Sequence, residues 1–270
     1  MKTKALIAAI AVALMCMTAV FAACSVGEGR SDFYDPQSLF DLSSKVATSG
    51  GDASGRDVVK AELVSLGVDE QVVADLSDEV IDRLAQSDAL FVDMIEYDDG
   101  LEMYCVMSTD GEIVEEKYTR WTVQIWAHWS KMPGYRLTDT VLYSVANGAV
   151  YGKAEYEFGE AAFRHAEGVD TFRMQGDEEG AVLFDNGDVS VGMYVDLPSN
   201  GGGKKYESAT IVFGGYVYTE EILRLYYAYG HKAVSGEASA RIGDGGKIEF
   251  GAATYAYIDQ TEVTPSDFID

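Results

Sequence analysis

Side chains able to do chemistry are plentiful in one class and scarce in the others. The chain of 270 residues holds 45 Asp and Glu, three His and three Cys. Acids at that density always offer some pair suited to glycoside hydrolysis, in which one carboxyl gives a proton while another attacks or activates water. That chemistry depends on separation in space, which sequence spacing does not supply. His128, His165 and His231 lie far apart, and no HExxH, His-x-His or Cys/His spacing gathers them around a metal. No GxSxG elbow or SxxK pair activates a serine. No GxxxxGK[ST] or GxGxxG cradles a phosphate, and Gly201-Gly202-Gly203-Lys204-Lys205 reads as a turn tip. Asp98-Asp99-Gly100 and Asp185-Asn186-Gly187-Asp188 lack the full ligand pattern of a calcium loop and read as turns. The sequence therefore assigns no catalytic residue, no cofactor and no metal.

The cysteines point to location instead. The chain opens MKTKALIAAIAVALMCMTAVFAAC, with Lys2 and Lys4 as a positive start and Ala5 to Ala23 uncharged. This is the build of an export signal, read as residues 1–23. Phe21-Ala22-Ala23-Cys24 resembles the lipobox of bacterial lipoproteins, with Phe21 where an aliphatic residue is usual. That resemblance implies a diacylated Cys24 as the new N-terminus and a lipid anchor on the outer face of the cytoplasmic membrane. Each buried CH₂ of such an anchor contributes about 0.8 kcal/mol. Ordinary cleavage near Ala22 or Ala23 is the alternative and gives a secreted protein, for which a Cys24–Cys105 disulfide is an option. Otherwise Cys105, in the apolar run Met-Tyr-Cys-Val-Met, reads as a small buried hydrophobe.

Losing Lys2 and Lys4 with the signal takes the formal net charge from −25 to −27. A surface of that sign repels nucleic acid, which is excluded as a partner. Its acids are scattered among apolar residues, as on a solvated globular face.

The elements that must position any site fall into three stretches. Residues 24–56 are polar and read as a tether. Residues 57–96 read as a short helical region: Val58, Val59, Leu63 and Leu66 share a face, and Gly67 stops that helix. A second helix follows over 70–75, and Ser77 caps a third. Residues 97–270 read as antiparallel strands with abundant glycine and only four prolines. Candidate strands include 101–108, 112–118, 137–146, 149–158, 172–175, 181–185, 189–197, 209–218, 225–234, 237–242, 247–250 and 254–258, with a helical turn over 159–167. In Arg120–Trp129, Trp121, Val123, Ile125, Ala127 and Trp129 share one face, and Thr122, Gln124, Trp126 and His128 the other. The fold expected is mostly β, an antiparallel sandwich or barrel-like domain with a short N-terminal helical satellite.

Seventeen tyrosines and three tryptophans are the residues best suited to holding a ligand. Trp121 and Trp129 are expected in the core, whereas Trp126, on the polar face, is a ligand-contact candidate. Arg136 and Asp139, after Pro133, are the other two candidates, read chiefly as a salt bridge or turn anchor.

The segments WTVQIWAHWSKMPGYRLTDTV and YAYGHKAVSGEASARIGDGGKIEFG resemble exported proteins of Gram-positive gut bacteria. In these, a tryptophan strand leads into a Met-Pro…Arg…Asp turn and a late His-Lys strand precedes strands rich in small residues. The matching positions are Trp129, Met132, Pro133, Arg136, Asp139, His231 and Lys232. The resemblance implies compartment and structural class, with no activity attached. The sequence thus predicts an exported, lipid-anchored binding or interaction module, its partners the membrane and an envelope protein or glycan. The alternative is an extracellular hydrolase acting on glycan or peptide through paired carboxylates.

Overall fold

A computed structural model describes residues 40–41, 52–87, 89–109, 112–115, 117–134, 136–145, 155–174, 190–200, 204–220, 223–232, 240–242, 248–250 and 254–263. The signal stretch, Cys24, most of the expected tether, the expected strand over 181–185 and the Asn186-Gly187 and Asp244-Gly245 turns lie outside these.

Three short helices come early: α1 (Asp52–Ser65), α2 (Glu70–Asp75) and α3 (Asp78–Ala85). Their ends follow from particular residues. Gly67 takes φ +96°, its N–H donates to Val64 O at 3.1 Å, and Val68 N–H reaches back to Leu63 O at 3.0 Å. A left-handed residue closes a helix this way, and glycine adopts it without strain. The Asp69 carboxylate takes Gln71 N–H at 2.7 Å to cap α2. Ser77 Oγ takes Val80 N–H at 3.3 Å to cap α3, and Asp78 and Glu79 occupy the first turn, where the helix dipole favours acids.

The strands are β1 (Phe40–Asp41), β2 (Ala89–Glu96), β3 (Leu101–Thr109), β4 (Ile113–Val114), β5 (Tyr118–Trp129), β6 (Thr138–Val145), β7 (Glu155–His165), β8 (Gly168–Met174), β9 (Ser190–Asp196), β10 (Tyr206–Thr219), β11 (Leu223–Lys232), β12 (Ala240–Ile242), β13 (Ile248–Phe250) and β14 (Thr254–Val263). A large sheet runs β1-β2-β3-β5-β10-β7-β8, with β4 also on β5, and a smaller one runs β14-β11-β6-β9. Among the described residues every pairing is antiparallel. The fold is a mostly β, sandwich-like arrangement, with three short helices among the described residues.

Alternation along each strand explains the layers. Trp121, Val123, Ile125, Ala127 and Trp129 of β5 join Val141 and Tyr143 of β6 and Tyr227 and Tyr229 of β11 in one core between the sheets. The opposite face of the large sheet presents Tyr104, Val106, Trp126, Phe158 and Val212 to Val59, Leu63, Val72, Val80, Ile81 and Leu84 of the helices. Helices this short are unstable alone and persist by burying such a face. Outside the small sheet, Leu142 and Ala228 meet Ile248 of the β12–β13 hairpin.

Three stretches differ from the sequence reading. Residues 89–96 form a strand, not helix: Leu90, Val92 and Met94 face the helices while Phe91 and Ile95 face the sandwich core. Their period of two places β2 beside β3 across a turn in which Gly100 has φ +86°. Helix α1 begins at Asp52, inside the stretch read as tether. The turn expected over 159–167 is mostly strand β7, held between β10 and β8.

Candidate functional site

Helix α3 does not cover the whole outer face of the large sheet. Along one side of the helix a cleft of about 400 Å³ opens, lined by Glu79, Asp82, Arg83, Gln86, Ser87, Arg120, Thr122, Glu157 and Tyr216. Irregular pairing builds one wall. Gly214 pairs with Phe158 and Gly215 with Tyr156, so Glu157 is an extra residue in β7. A bulge of this kind re-aims a side chain, here toward the cleft. Gly214 is needed beside it, because a Cβ there would lie 2.6 Å from the Phe158 ring.

The charges of the cleft are paired within the protein. Arg83 bonds Glu157 and, at 3.0 Å, Glu79, and its guanidinium lies 4.6 Å from the Phe158 ring centre. Tyr216 donates to Glu157 Oε1 at 2.5 Å. Arg120 bonds Glu112 at 2.6 Å and lies 5.3 Å from the Tyr216 ring. Arg56 takes Asp82 through two bonds of 2.6 Å, which hold that carboxyl below its usual range. Hydrogen-bonding capacity nevertheless remains. Arg83 Nε and Glu157 Oε2 are buried without a protein partner, as are Gln124 Nε2 and Ser108 Oγ. Ser108 pairs across the ladder with Thr122 of the cleft, and Gln124 lies two residues along β5 on the same face. Buried polar atoms left this way call for water or a ligand.

The residues singled out from sequence lie elsewhere. Trp126 has no exposed surface; it sits under the helices against Tyr104, its Nε1 donating to Gln124 Oε1 at 2.9 Å. Its face of β5 is polar in sequence because Gln124 and His128 make buried hydrogen bonds there, so the structure gives Trp126 a packing place with no ligand-facing surface. Trp121 and Trp129 are buried as expected.

Arg136 and Asp139 part company. Arg136 anchors turns, donating to Pro198 O at 3.2 Å, Asn200 Oδ1 at 2.5 Å and Tyr206 O at 3.3 Å. Asp139 is fully buried between the sheets and accepts from Tyr229 OH at 2.5 Å and Lys232 N–H at 3.1 Å, with His231 Nδ1 at 2.9 Å. Burial pushes its carboxyl up, against the pull of His231, Tyr229 and Lys232. The late His-Lys segment thus meets the turn aspartate, a pairing across 92 residues that no local spacing announces.

His128 lies under the helices, 2.9 Å from Thr210 Oγ1. Thr210 donates to Asp75 Oδ2 at 3.1 Å, and Asp75 also pairs with Arg164. Burial lowers the His128 pKa. These contacts pin α2 to the sheet. His165 lies 3.4 Å from Asp170. The three histidines occupy separate places, and among the described residues no group of three metal-ligating side chains converges.

Two carboxyls do meet. Asp93 and Asp259 both approach Tyr227 OH, between the edges of the two sheets and away from the cleft. In the cleft, Glu79, Asp82 and Glu157 are each tied to an arginine. Compared with known proteins, the sequence matches no protein-family model and no curated protein.

Proposed function

We propose that this chain is an exported, lipid-anchored surface module that binds an uncharged, hydroxyl-rich ligand of the sugar class in the cleft beside α3. One observation carries the reading: the cleft's charges are neutralised in pairs, while Gln86, Ser87, Thr122 and Tyr216 give its wall uncharged polar groups. A charged ligand would have to break those ion pairs. Hydroxyls both donate and accept, so a polyol can bond the uncharged polar side chains on the cleft wall, Gln86, Ser87 and Thr122 among them, with the pairs intact. The Tyr216 ring gives such a ligand an apolar edge to pack on. The opening residues support export, and Cys24 supports the anchor.

Calorimetric titration with methyl glycosides and short neutral oligosaccharides tests the binding. Binding to the wild type that weakens at least about tenfold in Tyr216→Ala and Glu157→Gln, a difference of about 1.4 kcal/mol, supports the reading. Equal binding by wild type and both variants overturns it, as does a preference for uronic acids. Intact mass of wild type and Cys24→Ala from a native membrane fraction tests the anchor. A diacylglyceryl mass lost in the variant supports it, and an unmodified chain in the medium overturns it.

A further inference from the structure

Tyr227 stands fully buried on β11, its hydroxyl 3.1 Å from Asp93 Oδ2 and 3.2 Å from Asp259 Oδ2. Asp93 belongs to β2 of the large sheet and Asp259 to β14 at the edge of the small one. The three groups therefore join the sheets along one side of the sandwich, away from the cleft.

A phenol has one proton to donate. It serves one carboxylate; the other carboxyl oxygen then meets the phenol's lone pairs. That second contact is repulsive unless its carboxyl is itself protonated and donates to the phenol oxygen. We propose that Asp93, Tyr227 and Asp259 form a proton-sharing clasp between the two sheets, closed while the carboxyl pair holds one proton and weakened when both carboxyls ionise.

The surroundings favour the shared proton. They do so against three donors, since Thr261 and Met94 N–H bond Asp93 and Gln260 N–H donates to Asp259 at 2.8 Å, all of which favour the ionised carboxyls. Cys105 of β3 is the thiol nearby and Tyr97, just after β2, the phenol, and Asp99 takes a hydrogen bond from Tyr257 of β14. Among the described residues, the charged groups that act on the trio are all acids. Burial raises both carboxyls, and the Asp259 charge raises Asp93 further. The two titrate as a unit.

The sign follows from proton counting. Between the ordinary aspartate value of 3.8 and the raised folded value, the native state binds more protons than the unfolded chain. The clasp's contribution is complete below that ordinary value and is lost as pH rises through the folded titration. Asparagine imitates the protonated partner, since its amide donates to the phenol oxygen at any pH.

Thermal unfolding of the full-length protein from about pH 4 to about pH 8 reads the clasp directly. The wild-type Tm is expected to fall across the range by more than that of Asp93→Asn or Asp259→Asn. At the alkaline end the variants are expected at least about 2 °C above wild type. Variant curves parallel to wild type, or variants less stable at the alkaline end, overturn the proposal. Carbon-13 NMR of the aspartate carboxyls in the wild-type protein gives a second readout that needs no variant to fold. One carboxyl of the pair titrating well above the ordinary value supports the clasp, and both titrating at or below it overturn the clasp.

Discussion

The Tyr229 hydroxyl donates to Asp139 Oδ2 at 2.5 Å, and both residues lie wholly buried between the sheets. Trp129 Nε1 donates to the same hydroxyl at 3.1 Å, and His231 Nδ1 lies 2.9 Å from the same carboxyl oxygen. Four residues from two distant stretches of the chain thus share one polar centre inside an otherwise apolar core. Removing one member strands the others. Tyr229→Phe is expected to lower stability by about 1–3 kcal/mol. Asp139→Ala, which takes away the common acceptor, is expected to cost about 3–5 kcal/mol. Denaturant unfolding measures both, and Asp139→Asn should fall between wild type and the alanine variant.

Trp126 gives a sharp contrast between packing and recognition. With no exposed surface beneath the helices, Trp126→Ala should destabilise by about 3–5 kcal/mol, as expected for deleting a buried indole. Trp126→Phe, which keeps most of the apolar volume, should leave glycoside titration at wild-type affinity. A loss of binding in the folded phenylalanine variant would move the ligand site under the helices.

Gly214 couples the bulge to the cleft. Gly214→Ala drives a methyl against the Phe158 ring, at 2.6 Å before relaxation, and should cost about 1–3 kcal/mol by overpacking. Since Phe158 lies beneath the Arg83 guanidinium, the same change should weaken ligand binding. Unfolding and titration on one sample separate the two effects.

Asp170 titrates in the opposite sense to the buried acids. Lys204 at 2.5 Å and Tyr206 OH at 2.8 Å lower its carboxyl to about 2. Its contribution is present above the ordinary aspartate value and is lost as pH falls toward about 2. Asp170→Asn should therefore flatten the acid limb of the stability profile. Added salt should shrink the wild-type effect, because the pair is exposed.

How much was legible from sequence depended on how local the cause was. Helix α2 and the Ser77 cap were readable because capping side chains act within three residues, and the two faces of β5 because strand period is fixed. The strand over 89–96 was missed because its short alternation follows directly on helical stripes, and only pairing with β3 settles it. The expected turn over 159–167 failed likewise, since Gly159 and the alanines of β7 signal a strand only beside β10. Trp126 was misleading for a definite reason. Gln124 and His128 give its face a polar pattern, yet Gln124 Oε1 and His128 Nδ1 bond inside the protein. The cleft had no linear signature, because it depends on where α3 packs and on the bulge at Glu157.

Cys105 has a use that follows from its place on β3. Its thiol has no exposed surface, and burial pushes its pKa well up, so the folded state offers an alkylating reagent neither access nor thiolate. Modification at Cys105 must wait for β3 to separate from its neighbours. The rate of labelling then serves as an internal clock for opening of the sandwich, read by mass at a residue the sequence already holds.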